Sequence, residues 1–220
     1  MALIYETKPA PDNSLTLARS GDTTIVVDTA APDTAAYNTA LIAADSTIAD
    51  TLVAPQLPDT GSSHPPVTPA DLDALKKAGM IIPVAGVAAK DLVDSFDDKR
   101  GSERHHNALD IMAARNTPVI AALPGSVLKL HNSTAGGLTV YMSDSSSHFV
   151  MMYGHLDSYR PGIKEGQRIK RGEIIGFVGS TGNANALAPH LHFQLTRNDN
   201  MKEWWKGTPV NPFPLLKPAP

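Results

Sequence analysis

From Met80 onward the apolar positions fall in short runs: PVIAAL (118–123), SVLKL (126–130), LTVYM (138–142), FVMMY (149–153), EIIGFVG (173–179) and HLHFQL (190–195). Gly, Pro, Asn and Ser separate them. Runs of this length, rich in β-branched and aromatic side chains and bounded by turn residues, predict strands joined by hairpins. The expected fold is therefore mainly β, a small antiparallel β-sheet or open barrel. One helix is predicted ahead of it, with Thr68 as N-cap, Pro69 at the first helical position and Asp71 near the positive end of the dipole. Leu72, Leu75 and Ala78 mark its apolar face, Lys76 and Lys77 sit in its last turn, and Gly79 ends it.

Residues 1–53 have a different texture, rich in Ala, Thr and Asp, with Tyr5 and Tyr37 as their aromatics. Such a composition buries little and predicts an irregular extension. Within it, Thr23–Val27 reads as a short strand and Ala35–Leu52 as a weak helix. Residues 54–69 place five prolines in sixteen positions, the composition of a linker. The expected division is an acidic, Ala/Thr/Pro-rich extension and linker over 1–68 and a β-rich domain over 69–220, closed by a Pro-rich C-terminal strap over 204–220.

The chain has 220 residues, enough to bury a core, and no cysteine. That removes disulfides, thiolate metal sites and cysteine nucleophiles, so a metal would have to be held by His, Asp or Glu. A net charge of -3 argues against a general nucleic-acid binder. The charge is uneven: residues 1–68 carry two basic and eight acidic side chains, and the remainder 17 basic and 14 acidic. No stretch approaches the roughly 18 consecutive apolar residues of a membrane span. The N-terminus MALIYETKPAP has neither a basic nor an adequate apolar leader region.

The candidate chemistry lies in the histidines. His190 and His192 are two apart in a segment of strong strand character, so both imidazoles project from one face while Leu191 faces the other way. In RHHNALD (104–110), His106 and Asp110 are four apart and share a face, and His105 falls off it. Four extended residues span about 13 Å, so this segment must bend for both side chains to reach one cation. Taken singly, each cluster also reads as surface histidines, with Asp110 as a structural carboxylate. Together they supply His, Asp and His, a set that suits Zn²⁺ and leaves one tetrahedral position open for polarising a scissile carbonyl and activating water. His155, in MYGHLDS, and the other imidazole of the HLH pair are the natural proton donors and acceptors. His64, His131 and His148 read as solvated, and His105 either as a surface residue or as a neighbour supporting the metal.

These segments occur in a family order: RHHNALDIMAARNTPVIAALPGSVLKL, then YGHLDS, then IKEGQRIKRGEIIGFVGSTG, then APHLHFQL. Over about residues 83–195 the chain resembles the lysostaphin-like (LytM-type) zinc metalloendopeptidases that cut peptides of bacterial peptidoglycan. The resemblance implies one zinc held by His106, Asp110 and His192, with His155 and His190 as catalytic histidines that are not ligands. It implies a twisted antiparallel β fold with a grooved site, and peptidoglycan stem or cross-link peptides as substrate. It also implies an address in the cell envelope or periplasm, reached through a leader or anchor outside these residues. Arg104 and Tyr153, flanking ligand and catalytic positions, are candidates for touching substrate, with structural roles as the alternative. The family usually has Gly where this chain has Ala108, which would be strained if that backbone needs positive φ. The rival readings are a catalytically silent peptidoglycan-binding module that activates another cell-wall hydrolase, and a biotinyl or lipoyl carrier module suggested by GIKEGQRIKRGEIIG. The carrier would need a modifiable lysine at a hairpin tip. Lys202, its nearest candidate, lies beyond the HLH strand.

Overall fold

The computed structural model of the protein describes residues 15–17, 25–27, 64–100 and 104–216. The chain forms two units, Met1–Asp33 and Thr34–Pro220. In the first, β1 (Leu15–Leu17) pairs antiparallel with β2 (Ile25–Val27), which falls within the expected TTIVV strand. The weak helix expected over Ala35–Leu52, most of the linker, and residues 217–220 of the strap lie outside the described residues. The division expected after residue 68 falls within the second unit.

Among the described residues of the second unit the first element is α1 (Pro69–Ala78), and its ends explain its limits. The Thr68 hydroxyl accepts the Asp71 backbone N–H at 3.2 Å, and the Asp71 carboxylate accepts the Thr68 N–H at 2.8 Å. This reciprocal box satisfies two amides that a helix start leaves unpaired. Gly79, at φ 69, closes the other end by donating to the carbonyls of Leu75 and Lys76. Asp71 also accepts from Arg197 Nε at 3.1 Å, tying the helix start to the sheet.

The sheet has nine strands, all antiparallel, and does not close. Its centre is a meander of β7 (Gly125–Ser133), β8 (Gly137–Asp144) and β9 (Phe149–Tyr159). A two-residue strand, β10 (Arg168–Ile169), pairs on the outer edge of β7. Along its other edge β9 changes partner. Phe149–Gly154 pair with β12 (His190–Arg197), and Leu156–Tyr159 pair with β11 (Ile174–Val178), which carries β6 (Pro118–Ile120). The far edge of β12 holds β5 (Leu109–Met112) and then β13 (Thr208–Val210). A separate two-stranded piece, β3 (Lys99–Arg100) with β4 (Arg104–His105), precedes β5.

Each of the six apolar runs forms or contains a strand. Alternation decides which side chains face inward: Leu191, Phe193 and Leu195 of β12 are buried with Met151 and Tyr153 of β9, and Leu75, Met80, Ile82 and Val84 join the same core. His190, His192 and Gln194 take the opposite face. The strap is partly a strand, β13, and places Val210 and Leu215 in the core.

Candidate metal centre

Register brings the two histidine clusters together. In the β12–β5 ladder His192 lies opposite Asp110, and directly paired residues project from the same face. His106 reaches that face because the chain turns between β4 and β5, where Asn107 takes φ 54. Asparagine tolerates this left-handed conformation. The positive φ therefore falls on Asn107 and not on Ala108, which is simply buried, so the feared strain at Ala108 does not arise. Residues 95–98 hold the turn in place: Asp98 and Phe96 carbonyls accept the backbone N–H groups of His106 and Asn107 at 2.8 and 2.9 Å.

Asp110 Oδ1 is 3.0 Å from His106 Nε2 and 3.0 Å from His192 Nδ1, and the two imidazole nitrogens are 3.1 Å apart. Ligand atoms at the corners of a zinc tetrahedron with bonds of 2.0–2.1 Å stand about 3.3 Å apart, so this triangle needs only a small expansion to hold the ion. His106 Nδ1 lies 3.0 Å from the Ser95 carbonyl. A carbonyl only accepts, so Nδ1 carries the proton and Nε2 keeps its lone pair for a metal. The donor set fits zinc. The second carboxylate oxygen of Asp110 is occupied by Arg100 Nη2 at 2.7 Å, and the Asp110 N–H donates to Ser95 Oγ at 3.2 Å.

Two further imidazoles border the triangle. His190 Nδ1 lies 2.8 Å from the Ala188 carbonyl, leaving Nε2 toward the site, 3.8 Å from Asp110 Oδ1. His155 sits where β9 changes partner, within a one-residue irregularity in its pairing with β8, and has φ 57. Bulges of this kind re-aim a side chain, and a non-glycine residue in this conformation is held by its surroundings. Here the His155 N–H donates to the Gly136 carbonyl at 2.8 Å and Nδ1 lies 2.8 Å from the Thr181 carbonyl. The ring centroid is 5.0 Å from that of His190 and 5.6 Å from that of His192.

The support for His155 depends on a close approach of two loops. A Cβ on Gly182 (φ 76) would lie 2.3 Å from the Gly137 nitrogen and 2.4 Å from the Ala135 oxygen. Gly182→Ala is therefore expected to cost more than about 2 kcal/mol, by strain and by pushing the loops apart. Urea unfolding checks this, and unchanged stability would contradict it.

Burial opposes ionisation of Asp110, but hydrogen bonds from His106 and His192 outweigh it and hold the carboxyl well below its usual range. Burial also lowers His192, and it pushes His155 down to about 4 with help from the neighbouring imidazoles. A histidine at 6.5 unfolded and about 4 folded contributes stability that is complete above pH 6.5 and lost as pH falls through about 4. The metal-free protein is expected to lose on the order of 3 kcal/mol from this group on acidification. Unfolding of chelator-treated protein at pH 7, 5.5 and 4 measures it, and constant stability over that range would overturn the assignment.

Not every expected residue reaches the site. Tyr153 is fully buried: its ring packs 5.2 Å from Phe193 and its hydroxyl accepts the Ala122 N–H at 3.0 Å. It faces the core because it falls on the inward parity of β9, so it is not a substrate contact. Arg104 contributes backbone to β4, and its side chain lies outside the described residues. His105 is exposed, with Nδ1 3.2 Å from the Asp97 carbonyl, and takes no part in the triangle. His148 is exposed and pairs with Asp199 at 2.9 Å. His131, expected to be solvated, instead lies in β7 and packs against Trp204. Arg100, Ser95 and the Thr181 carbonyl are the contributors that residue pattern did not reveal. No local spacing links them to Asp110, His106 or His155.

Residues 104–212 match the model of peptidase family M23. The cell division protein DipM of Caulobacter vibrioides is 30% identical over 149 residues, 68% of this chain and 23% of its own length. The L-Ala–D-Glu endopeptidase of Bacillus subtilis is 30% identical over 122 residues, covering 53% of this chain and 36% of its own. The glycyl-glycine endopeptidase ALE-1 of Staphylococcus capitis is 33% identical over 116 residues, covering 52% and 30%. The matches thus span between 23% and 36% of these relatives' length. The matched region contains His106, Asp110, His155, His190 and His192 together, and residues 104–212 are a peptidase family M23 domain.

Proposed function

We propose that the domain is a zinc-dependent endopeptidase that hydrolyses peptide bonds in peptidoglycan stem or cross-link peptides at the cell envelope, with residues 1–68 as an extension. One observation carries the reading: a His106–Asp110–His192 triangle flanked by two imidazoles whose Nδ1 atoms are both engaged by backbone carbonyls. Two of the relatives named above are endopeptidases, each named for a different bond.

When bound, zinc supplies Lewis-acid polarisation of the scissile carbonyl and activation of water. His106 Nε2, Asp110 Oδ1 and His192 Nδ1 would hold it. The Thr181 and Ala188 carbonyls engage Nδ1 of His155 and His190, which leaves Nε2 of each ring as the nitrogen available to the site. Such a nitrogen can take a proton from attacking water and return it to the leaving amine. With its acidity set at about 4, His155 is neutral throughout the physiological range. Arg100 holds Asp110 through the oxygen that the histidines do not use, which orients Oδ1 toward the triangle.

Digestion of purified sacculi, followed by mass spectrometry of the released fragments, tests the proposal. The expected products are muropeptides with new amino and carboxyl termini at one kind of peptide bond. New sugar reducing ends alone, or no release with zinc supplied, would contradict it.

A further inference from the structure

The chain has two tryptophans, and they are adjacent. Trp204 and Trp205 stand nearly perpendicular with centroids 5.1 Å apart. Trp204 packs 4.4 Å from Tyr141 and 5.5 Å from His131, whereas Trp205 remains 56% exposed. A cavity of about 80 Å³ lies beside them, walled also by Met152, Gln194, Thr196 and Lys206.

Sheet register places this cluster on the face that carries the metal ligands. His192 pairs with both Asp110 and Gly154, and two residues further along β12, Gln194 pairs with Met152, which pairs with Tyr141. Two strand residues span about 7 Å, so the floor passes directly from the triangle to the cavity. That floor offers no free backbone. β8 lies between β7 and β9, and β12 has β9 on one edge and β5 then β13 on the other. An extended peptide cannot add as a strand there, and recognition falls to side chains.

From this arrangement we infer a saccharide subsite that takes an N-acetylated hexosamine of the glycan strand bearing the cleaved peptide. The inference rests on the peptidoglycan reading above for the identity of the sugar. A pyranose has an apolar C–H face suited to an exposed indole and a rim of polar groups. The cavity has the volume of two to three water molecules, at about 30 Å³ each. That accommodates an acetamido group but not a whole ring, so the ring lies on Trp205. Gln194 can both donate to and accept from the acetamide.

Fluorescence titration of the full chain with peptide-free glycan strands, released from sacculi by an amidase, tests the subsite. These strands contain no bond that the proposed peptidase cuts, so the result does not depend on that activity. Saturable quenching of the wild type is expected, weakened at least tenfold by Trp205→Ala, less by Trp205→Phe, and also by Gln194→Ala. Absence of binding by the wild type, or equal binding by all three variants, would overturn the subsite and leave the peptidase reading standing. Displacement of the glycan by a sugar-free stem peptide would assign the surface to peptide and equally overturn it.

Discussion

Asp110→Ala is expected to remove the metal and to lower turnover by on the order of a thousandfold or more, since Lewis-acid stabilisation supplies several kcal/mol of the barrier reduction. Asp110 is the only anion in the triangle, and one of its oxygens lies 3.0 Å from both His106 Nε2 and His192 Nδ1. Its removal also leaves the Arg100 guanidinium, now paired to it at 2.7 Å, facing a cation site without the intervening charge. Asp110→Asn keeps the shape but not the charge and should bind zinc with intermediate affinity. Zinc per chain and initial rate, measured on the same preparations, check the prediction. Full stoichiometry and full rate in Asp110→Ala would refute the ligand assignment.

His190→Ala and His155→Ala should behave differently: zinc retained, rate reduced by about 10²–10⁴-fold each. Neither ring belongs to the triangle. His190 Nε2 is 3.8 Å from Asp110 Oδ1, and His155 is held by the Thr181 carbonyl. Metal content and activity thus separate in these variants, whereas they fall together in Asp110→Ala. A variant with unaltered zinc and unaltered rate would remove that histidine from the proton-transfer role.

The parts of the site that could be read from residue pattern are those governed by local period. The two-residue spacing of His190 and His192, and the need for RHHNALD to bend, follow from strand geometry, and the bend occurs at Asn107. The helix limits were legible for the same reason, because capping is a contact over three residues. Parity was not. Assigning Tyr153 to substrate required knowing which face of β9 is buried, and that is decided by residues distant in sequence, such as Leu75, Met80 and Ile82, that share its core. The partners that orient the site are also long-range. Arg100 is ten residues from Asp110, Ser95 eleven from His106, and Thr181 twenty-six from His155. His131 looked solvated in isolation, since Trp204, which covers it, is more than seventy residues away.

The proposed function rests on this triangle holding one zinc on which peptide cleavage depends. The most direct measurement is stepwise return of zinc to chelator-treated protein, with release of peptide from sacculi followed at each step. Activity should be absent at the start, rise linearly and reach a plateau at one zinc per chain, with Asp110→Ala inert throughout. Cleavage that survives chelation, or zinc bound at one per chain without any cleavage, would contradict the account.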